Sequence, residues 1–214
     1  LSSEYTYDKS EFKNFAYVAG AGEGTARKVI SVASKTSTAK LPDGYTELEY
    51  IQSSGSQYID TDVKIGSTGK VVADMEIMAA PSAQIFLFGA SVSGDAERYG
   101  VTYITSSSYW RNVHGTGTGA TANFPTSLPV IGRHLITKDR NKCSIDNVES
   151  NATDRSFSST QNMFIFAKDQ SGTAQNFSSA KLYSFKIYQN DVLVRDFIPC
   201  KNISGSIGLY DLVG

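Results

Sequence analysis

The residues whose spacing comes nearest to chemistry are paired acids. Glu47-Leu48-Glu49 and Asp74-Met75-Glu76 each hold two carboxylates two positions apart, which on a strand sends both side chains to one face. A retaining glycosidase needs two carboxylates about 5 Å apart, one as nucleophile and one as acid/base. All-β hydrolases of that kind present them from one strand as Glu-x-Asp-x-x-Glu, and this chain has no such pattern. Asp74 and Glu76 also fill the polar positions of an alternating run, where solvated acids are the plain expectation. No catalytic residues are therefore assigned, and hydrolysis ranks behind binding.

Other reactive groups are sparse. His114 and His134 are the two histidines and Cys143 and Cys200 the two thiols, and no serine sits in a Gly-x-Ser-x-Gly elbow. Two histidines without nearby cysteines or acids give no zinc signature. Asp60-Thr61-Asp62 and Asp146-Asn147-Val148-Glu149 offer oxygen ligands that would suit calcium, but turn chemistry accounts for both equally well. The expectation is no cofactor, with calcium the one ion to test. Two isolated cysteines read as buried free thiols, a bridge between them being the less favoured alternative.

For binding, the stretch from Tyr103 to Gly119 stands out. Tyr109, Trp110, Arg111, Asn112 and His114 place the chain's single tryptophan among planar and hydrogen-bonding groups, next to the Gly115–Gly119 loop. Sugars stack an apolar face on aromatic rings while Asn, Arg and His meet their hydroxyls, so these five are the candidate carbohydrate-binding residues. Strand alternation gives a competing account of equal or greater weight. It sends Trp110, Asn112 and His114 to one face and Tyr109, Arg111 and Val113 to the other, with Trp110 in the core.

The elements that must position these residues read as strands. Lys70–Ala80 alternates cleanly, with Val71, Ala73, Met75, Ile77 and Ala79 on one side and Asp74 and Glu76 on the other. Ile85–Phe88 and Met163–Phe166 are apolar on both faces, as central strands of a layered fold are. Further runs at 98–105, 108–115, 132–139 and 142–148 recur every eight to twelve residues or so, which favours a sandwich or jelly roll. Residues 181–200 read as a hairpin around Gln189-Asn190-Asp191. A loop of two or four residues puts Tyr183, Phe185 and Ile187 on one face with Val192, Val194 and Ile198 and buries Asp196, whereas a three-residue loop turns Arg195 inward instead. Either way one charge needs a partner inside.

Ahead of this domain, 1–35 reads as an arm of two short strands joined by a glycine-rich turn. No Lys-Ser/Thr pair opens a helix after Gly24, so the glycines are not a phosphate loop. Residues 36–40 close a small polar tether that begins near Ala33, and 41–214 form the main domain. The 214 residues carry a net charge of -1 with 19% charged side chains, so neither a basic nucleic-acid footprint nor a polybasic membrane anchor is present. No apolar run approaches the ~20 residues of a membrane span. Opening on Leu1-Ser2-Ser3, the chain reads as an excised or processed piece without a signal peptide of its own.

Two resemblances add to this reading. Tyr5, Tyr7, Asp8, Asn14, Tyr17, Val18, Ala19, Gly20, Gly22, Glu23, Gly24 and Arg27 form a pattern that resembles a segment of a siphophage tail protein family. Leu41-Pro42 with Gly44-Tyr45-Thr46 and Leu48-Glu49-Tyr50-Ile51, then Gln57–Thr61, Phe164–Ala167, Tyr183–Ile187, Val194–Cys200 and Gly208–Asp211, look like the concanavalin A-like, laminin-G-like jelly-roll modules of prophage tail and surface proteins. The likeness implies an all-β, two-sheet antiparallel jelly-roll sandwich whose first and last strands lie close together. It also implies a non-catalytic, tail-associated module that contacts host-surface glycan, with a structural or protein-docking decoration of the tail as the alternative. The expected partners are host-surface glycan or tail proteins, with no nucleic acid and no membrane. The expected place is the virion tail or the bacterial surface, after synthesis in the bacterial cytoplasm. No heptad run points to an oligomeric state.

Overall fold

The computed structural model describes residues 15–17, 19–20, 41–92, 96–125 and 128–214. One sheet runs in the order β1 (Phe15–Tyr17), β19 (Ile207–Asp211), β18 (Val192–Asn202), β17 (Ser179–Gln189), β6 (Gly69–Ile77), β11 (Gly132–Asp139), β12 (Lys142–Ile145) and β13 (Val148–Asn151). Off its path, β3 (Tyr45–Glu47) pairs with β18 and β4 (Ile51–Ser54) with β17. The second sheet runs β10 (Thr121–Asn123), β9 (Tyr109–Gly115), β8 (Ala96–Ile104), β7 (Ile85–Val92), β14 (Asn162–Ile165), β5 (Gln57–Lys64) and β2 (Ala19–Gly20). Next to β7, β15 (Lys168–Gln170) makes the one parallel pairing among the described strands and carries β16 (Thr173–Gln175). The fold is the expected all-β, two-sheet antiparallel sandwich of jelly-roll type.

Between the sheets lies one apolar core. Val71, Ala73, Met75 and Ile77 of β6 are buried, and the intervening Val72, Asp74 and Glu76 are half-buried on the outer face, so the predicted alternation holds as far as Ile77; the strand ends there, and Ala79, expected on the inner side, is exposed. β7 is buried on both faces from Ile85 to Ser91, as its unbroken apolar run requires. Leu87 and Phe88 meet Ile59, Ile165, Phe166 and Phe185 in the same cluster, and Phe88 and Phe185 stand edge to face at 5.3 Å. The domain's first and last strands lie close together, flanking β18 on its two edges, and Tyr45 of β3 and Tyr210 of β19 stand edge to face at 5.1 Å.

The β17–β18 hairpin settles the inward charge. Asn190 and Asp191 form a two-residue turn with φ of 49° and 64°, the left-handed backbone their types tolerate. A bulge between Ile187 and Tyr188 then shifts the register so that Ile187 faces Arg195 and Phe185 faces Phe197. Arg195 therefore takes the inward side, with its Nε 3.6 Å from buried Asp211, while Asp196 pairs with Lys186 at 2.8 Å. Tyr183 departs from expectation: the pairing of β17 with β6 slips between Leu182 and Ser184, and the ring lies on the outer face. β1 runs against β19 and β2 against β5. The glycine-rich turn at 20–24 lies largely, and the tether at 36–40 wholly, outside the described residues.

Candidate functional site

Strand β9 divides the predicted carbohydrate-binding residues between two faces. Trp110, Asn112 and His114 point into the sandwich and are 1%, 0% and 0% exposed, so three of the five candidates are closed to any ligand. The packing account is the correct one for them. Trp110 Nε1 donates to the Pro129 carbonyl at 3.2 Å, and its ring meets Tyr103 and His134 edge to face at 5.3 and 5.7 Å. Asn112 donates from Nδ2 to the carbonyls of Asn141 and Ser150, at 2.7 and 2.9 Å. His114 packs on Phe157 and Tyr99, and neither ring nitrogen has a hydrogen bond. Burial, and then the nearby charge of Lys138, hold its pKa down to about 4.

Tyr109 and Arg111 point outward, where the structure builds a groove of about 550 Å³. Its floor depends on two facing glycines. Gly89 and Gly100 are cross-strand partners, and a Cβ on Gly89 would lie 2.8 Å from the Phe86 ring, so the glycine pair makes room for that ring. Around the floor stand Gln84, Arg98, Thr102, Arg111, Thr121 and Lys168. Gln170, Gln175 and Asn176 close one side. Lys168 Nζ sits 5.2 Å from the Phe86 ring centroid, and Arg111 donates to Asn123 Oδ1 at 3.1 Å and to the Tyr109 hydroxyl. Of the sequence candidates only Arg111 lines this groove, with Tyr109 braced against its guanidinium. Sequence reasoning missed the rest because they come from β7, β8, β10, β15, β16 and the residues just before β7 and just after β16, and no local pattern links them.

On the opposite outer face a smaller cleft of about 290 Å³ gathers Glu47, Glu49, Asp74, Arg133 and Tyr183. Both acid pairs of the sequence thus converge on one sheet, and Glu76 joins them through Tyr183, whose hydroxyl donates to Glu76 Oε2. Arg133 grips Asp74 with two bonds of 2.7 and 2.8 Å and stacks on the Tyr183 ring at 3.6 Å. Glu76 is poorly suited to the general-acid role. The Tyr183 hydrogen bond and Lys181 lower the Glu76 pKa, whereas a general acid needs it raised. Tyr183 itself is shifted upward by burial and by Glu76, so its phenolate is disfavoured as a nucleophile.

The oxygen clusters proposed for calcium serve as turn and strand braces. Asp60 accepts from the Asp62 amide at 2.9 Å and from Asn162 at 3.2 Å. Asp146 accepts from the Leu135 amide at 2.9 Å, and its second oxygen is 2.6 Å from His134 Nδ1. Among the described residues no three His, Cys, Asp or Glu side chains group closely enough to hold a metal. Cys143 and Cys200 are both free and buried, and burial pushes each thiol up to about 12.

No family model matches the chain, and no curated protein does. Among solved structures, the Trypanosoma rangeli sialidase in complex with sialic acid is similar over 72% of this chain and 30% of its own, at 13% identity and a TM-score of 0.48. The same sialidase with 2,3-difluorosialic acid, a covalent intermediate, matches over 70% and 27%, at 13% identity and a TM-score of 0.47. The chain thus spans less than a third of the length of the sialidases it matches.

Proposed function

We propose that this chain is a non-catalytic, carbohydrate-binding module of a phage or prophage tail-associated protein, and that the groove on the outer face of the second sheet is its binding site. The observation that carries the reading is the groove's lining. Amide, hydroxyl and guanidinium side chains converge there from several strands, and no carboxylate lines it among the described residues. Amides and hydroxyls both donate and accept, which suits the hydroxyl pairs of a sugar, while the lack of a carboxylate pair removes the machinery for glycosidic cleavage. The tail context rests on the sequence resemblances at 5–27 and 41–211.

A bacterial glycan array probed with the intact chain tests this. Binding to surface saccharides that Gln175→Ala weakens, with no release of reducing sugar, supports the proposal. Binding unaffected by groove substitutions, or turnover of a bound saccharide, overturns it.

A further inference from the structure

The groove carries one sign of charge. Arg98, Arg111 and Lys168 line it without an Asp or Glu among the described residues, in a chain with 21 acidic and 20 basic side chains. The opposite cleft has the reverse character, with Glu47, Glu49 and Asp74 around Arg133. The groove and the cleft therefore differ in the sign of their lining charges, although the chain as a whole is close to neutral. Arg98 and Lys168 also have contacts within the protein, so the argument turns on Arg111.

Arg111 differs from the arginines that brace the fold. Arg133, Arg140 and Arg195 each meet a carboxylate, at 2.7, 2.8 and 3.6 Å. The hydrogen bonds of Arg111 go instead to an amide oxygen and a phenol, both neutral. Its guanidinium lies 5.1 Å from the Tyr109 ring centroid, which further fixes its place. A guanidinium held by neutral acceptors keeps its charge uncompensated, and one already oriented loses little rotamer entropy when a ligand arrives. Carboxylates and phosphates are the groups that match its planar donors.

We propose that the groove takes a saccharide bearing an anionic group, a carboxylate or a phosphate, with Arg111 recognising the charge and the neighbouring amides recognising the hydroxyls. This rests on the carbohydrate reading above. It goes beyond that reading by excluding neutral glycans as the preferred class.

Titration of the intact chain with maltohexaose, hexagalacturonate and a phosphorylated maltohexaose separates the cases. At least one anionic ligand is expected to bind about tenfold or more tightly than the neutral one, with the advantage falling as salt rises. The two anionic arms tell which group is preferred. Arg111→Gln should remove the preference. Thr121→Glu, which adds a carboxylate to the lining at a side chain that makes no hydrogen bond among the described residues, should weaken anionic ligands and spare neutral ones. Circular dichroism confirms that both variants fold. Equal binding of neutral and anionic ligands overturns this inference and leaves the carbohydrate reading standing, as does a preference indifferent to both substitutions. Failure of every saccharide to bind overturns both.

Discussion

Lys138 on β11 donates to Asn112 Oδ1 on β9 at 2.7 Å, joining the two sheets through a pair of side chains that are both fully buried. The ammonium also meets the Arg140 carbonyl at 3.1 Å and lies 4.3 Å from the centroid of the Tyr99 ring. Its hydrogen-bond acceptors are thus neutral oxygens, and among the described residues no carboxylate forms an ion pair with it. Asn112 completes the bridge by donating to the carbonyls of residues 141 and 150, so each polar atom of its amide is used. Satisfied networks of this kind hold two layers in one register, at the cost of keeping a charge away from water.

That cost should appear as a rise in stability with alkaline pH. Burial lowers the Lys138 pKa to about 8, below its unfolded value, so between the two the unfolded chain binds more protons and stability climbs as pH increases. Cys143 and Cys200 act in the opposite sense, because their folded pKa values are raised to about 12 and stability is lost above their unfolded pKa near 9. In a chain with both cysteines replaced by alanine, urea denaturation should show a gain of about 1 kcal/mol between pH 8 and 9. Adding Lys138→Met should flatten that segment. An unchanged slope would mean that Lys138 enters the fold without a desolvation penalty.

His114 gives the corresponding effect in acid. Its folded pKa of about 4 lies below the unfolded value, so stability is lost as pH falls through the window between about 6.5 and 4. The groups facing it are Lys138, which disfavours the imidazolium, and the backbone of Arg155, the exposed Asp154 carboxylate at 4.0 Å and the backbone of Arg140, which favour it more weakly. From pH 7 to 5 the loss assignable to this one ring is on the order of 2 kcal/mol. His114→Phe keeps an aromatic ring against Phe157 and removes two unsatisfied nitrogens, so it should melt at the same or higher temperature at pH 7. It should also retain more of its stability at pH 5 than the parent. A parent and variant that lose stability in parallel would count against this account.

How far the sequence could foresee the site follows from what alternation encodes. On β6 one face is wholly apolar, so its inward side is legible from residue types alone. β9 has polar residues on both faces, and the choice between burying Asn112 with His114 or Arg111 with Tyr109 depends on Lys138 and on carbonyls from other strands. Bulges are equally hidden. The shift at Ile187/Tyr188 decides that Arg195 faces inward, and the slip beside Tyr183 sends that ring outward, yet no residue type at either place announces an extra position. The groove escaped for a different reason: Arg98, Arg111 and Lys168 are scattered cations in a chain of balanced charge, gathered only by the order β9-β8-β7 with β15 alongside.

The groove floor makes the last prediction. A Cβ at Gly100 would lie 2.5 Å from the Phe88 carbonyl oxygen and 2.9 Å from the Gly89 Cα, and because both atoms are backbone no side-chain rotation relieves the contact. Gly100→Ala must therefore push β8 away from β7, at a cost of about 1–3 kcal/mol. Gly117→Ala is the control, since its Cβ would meet nothing within 4 Å and only its φ of +77° opposes the change. That variant should lose about 1 kcal/mol, the left-handed backbone penalty alone. Opening the floor also unseats Phe86 and moves Lys168 relative to Arg111, so Gly100→Ala should weaken saccharide binding even at temperatures where it is fully folded. Chemical denaturation and ligand titration on the two variants together check this. Equal stability of Gly100→Ala and Gly117→Ala, or undiminished binding by the folded Gly100→Ala chain, would show that the facing glycines do not shape the groove.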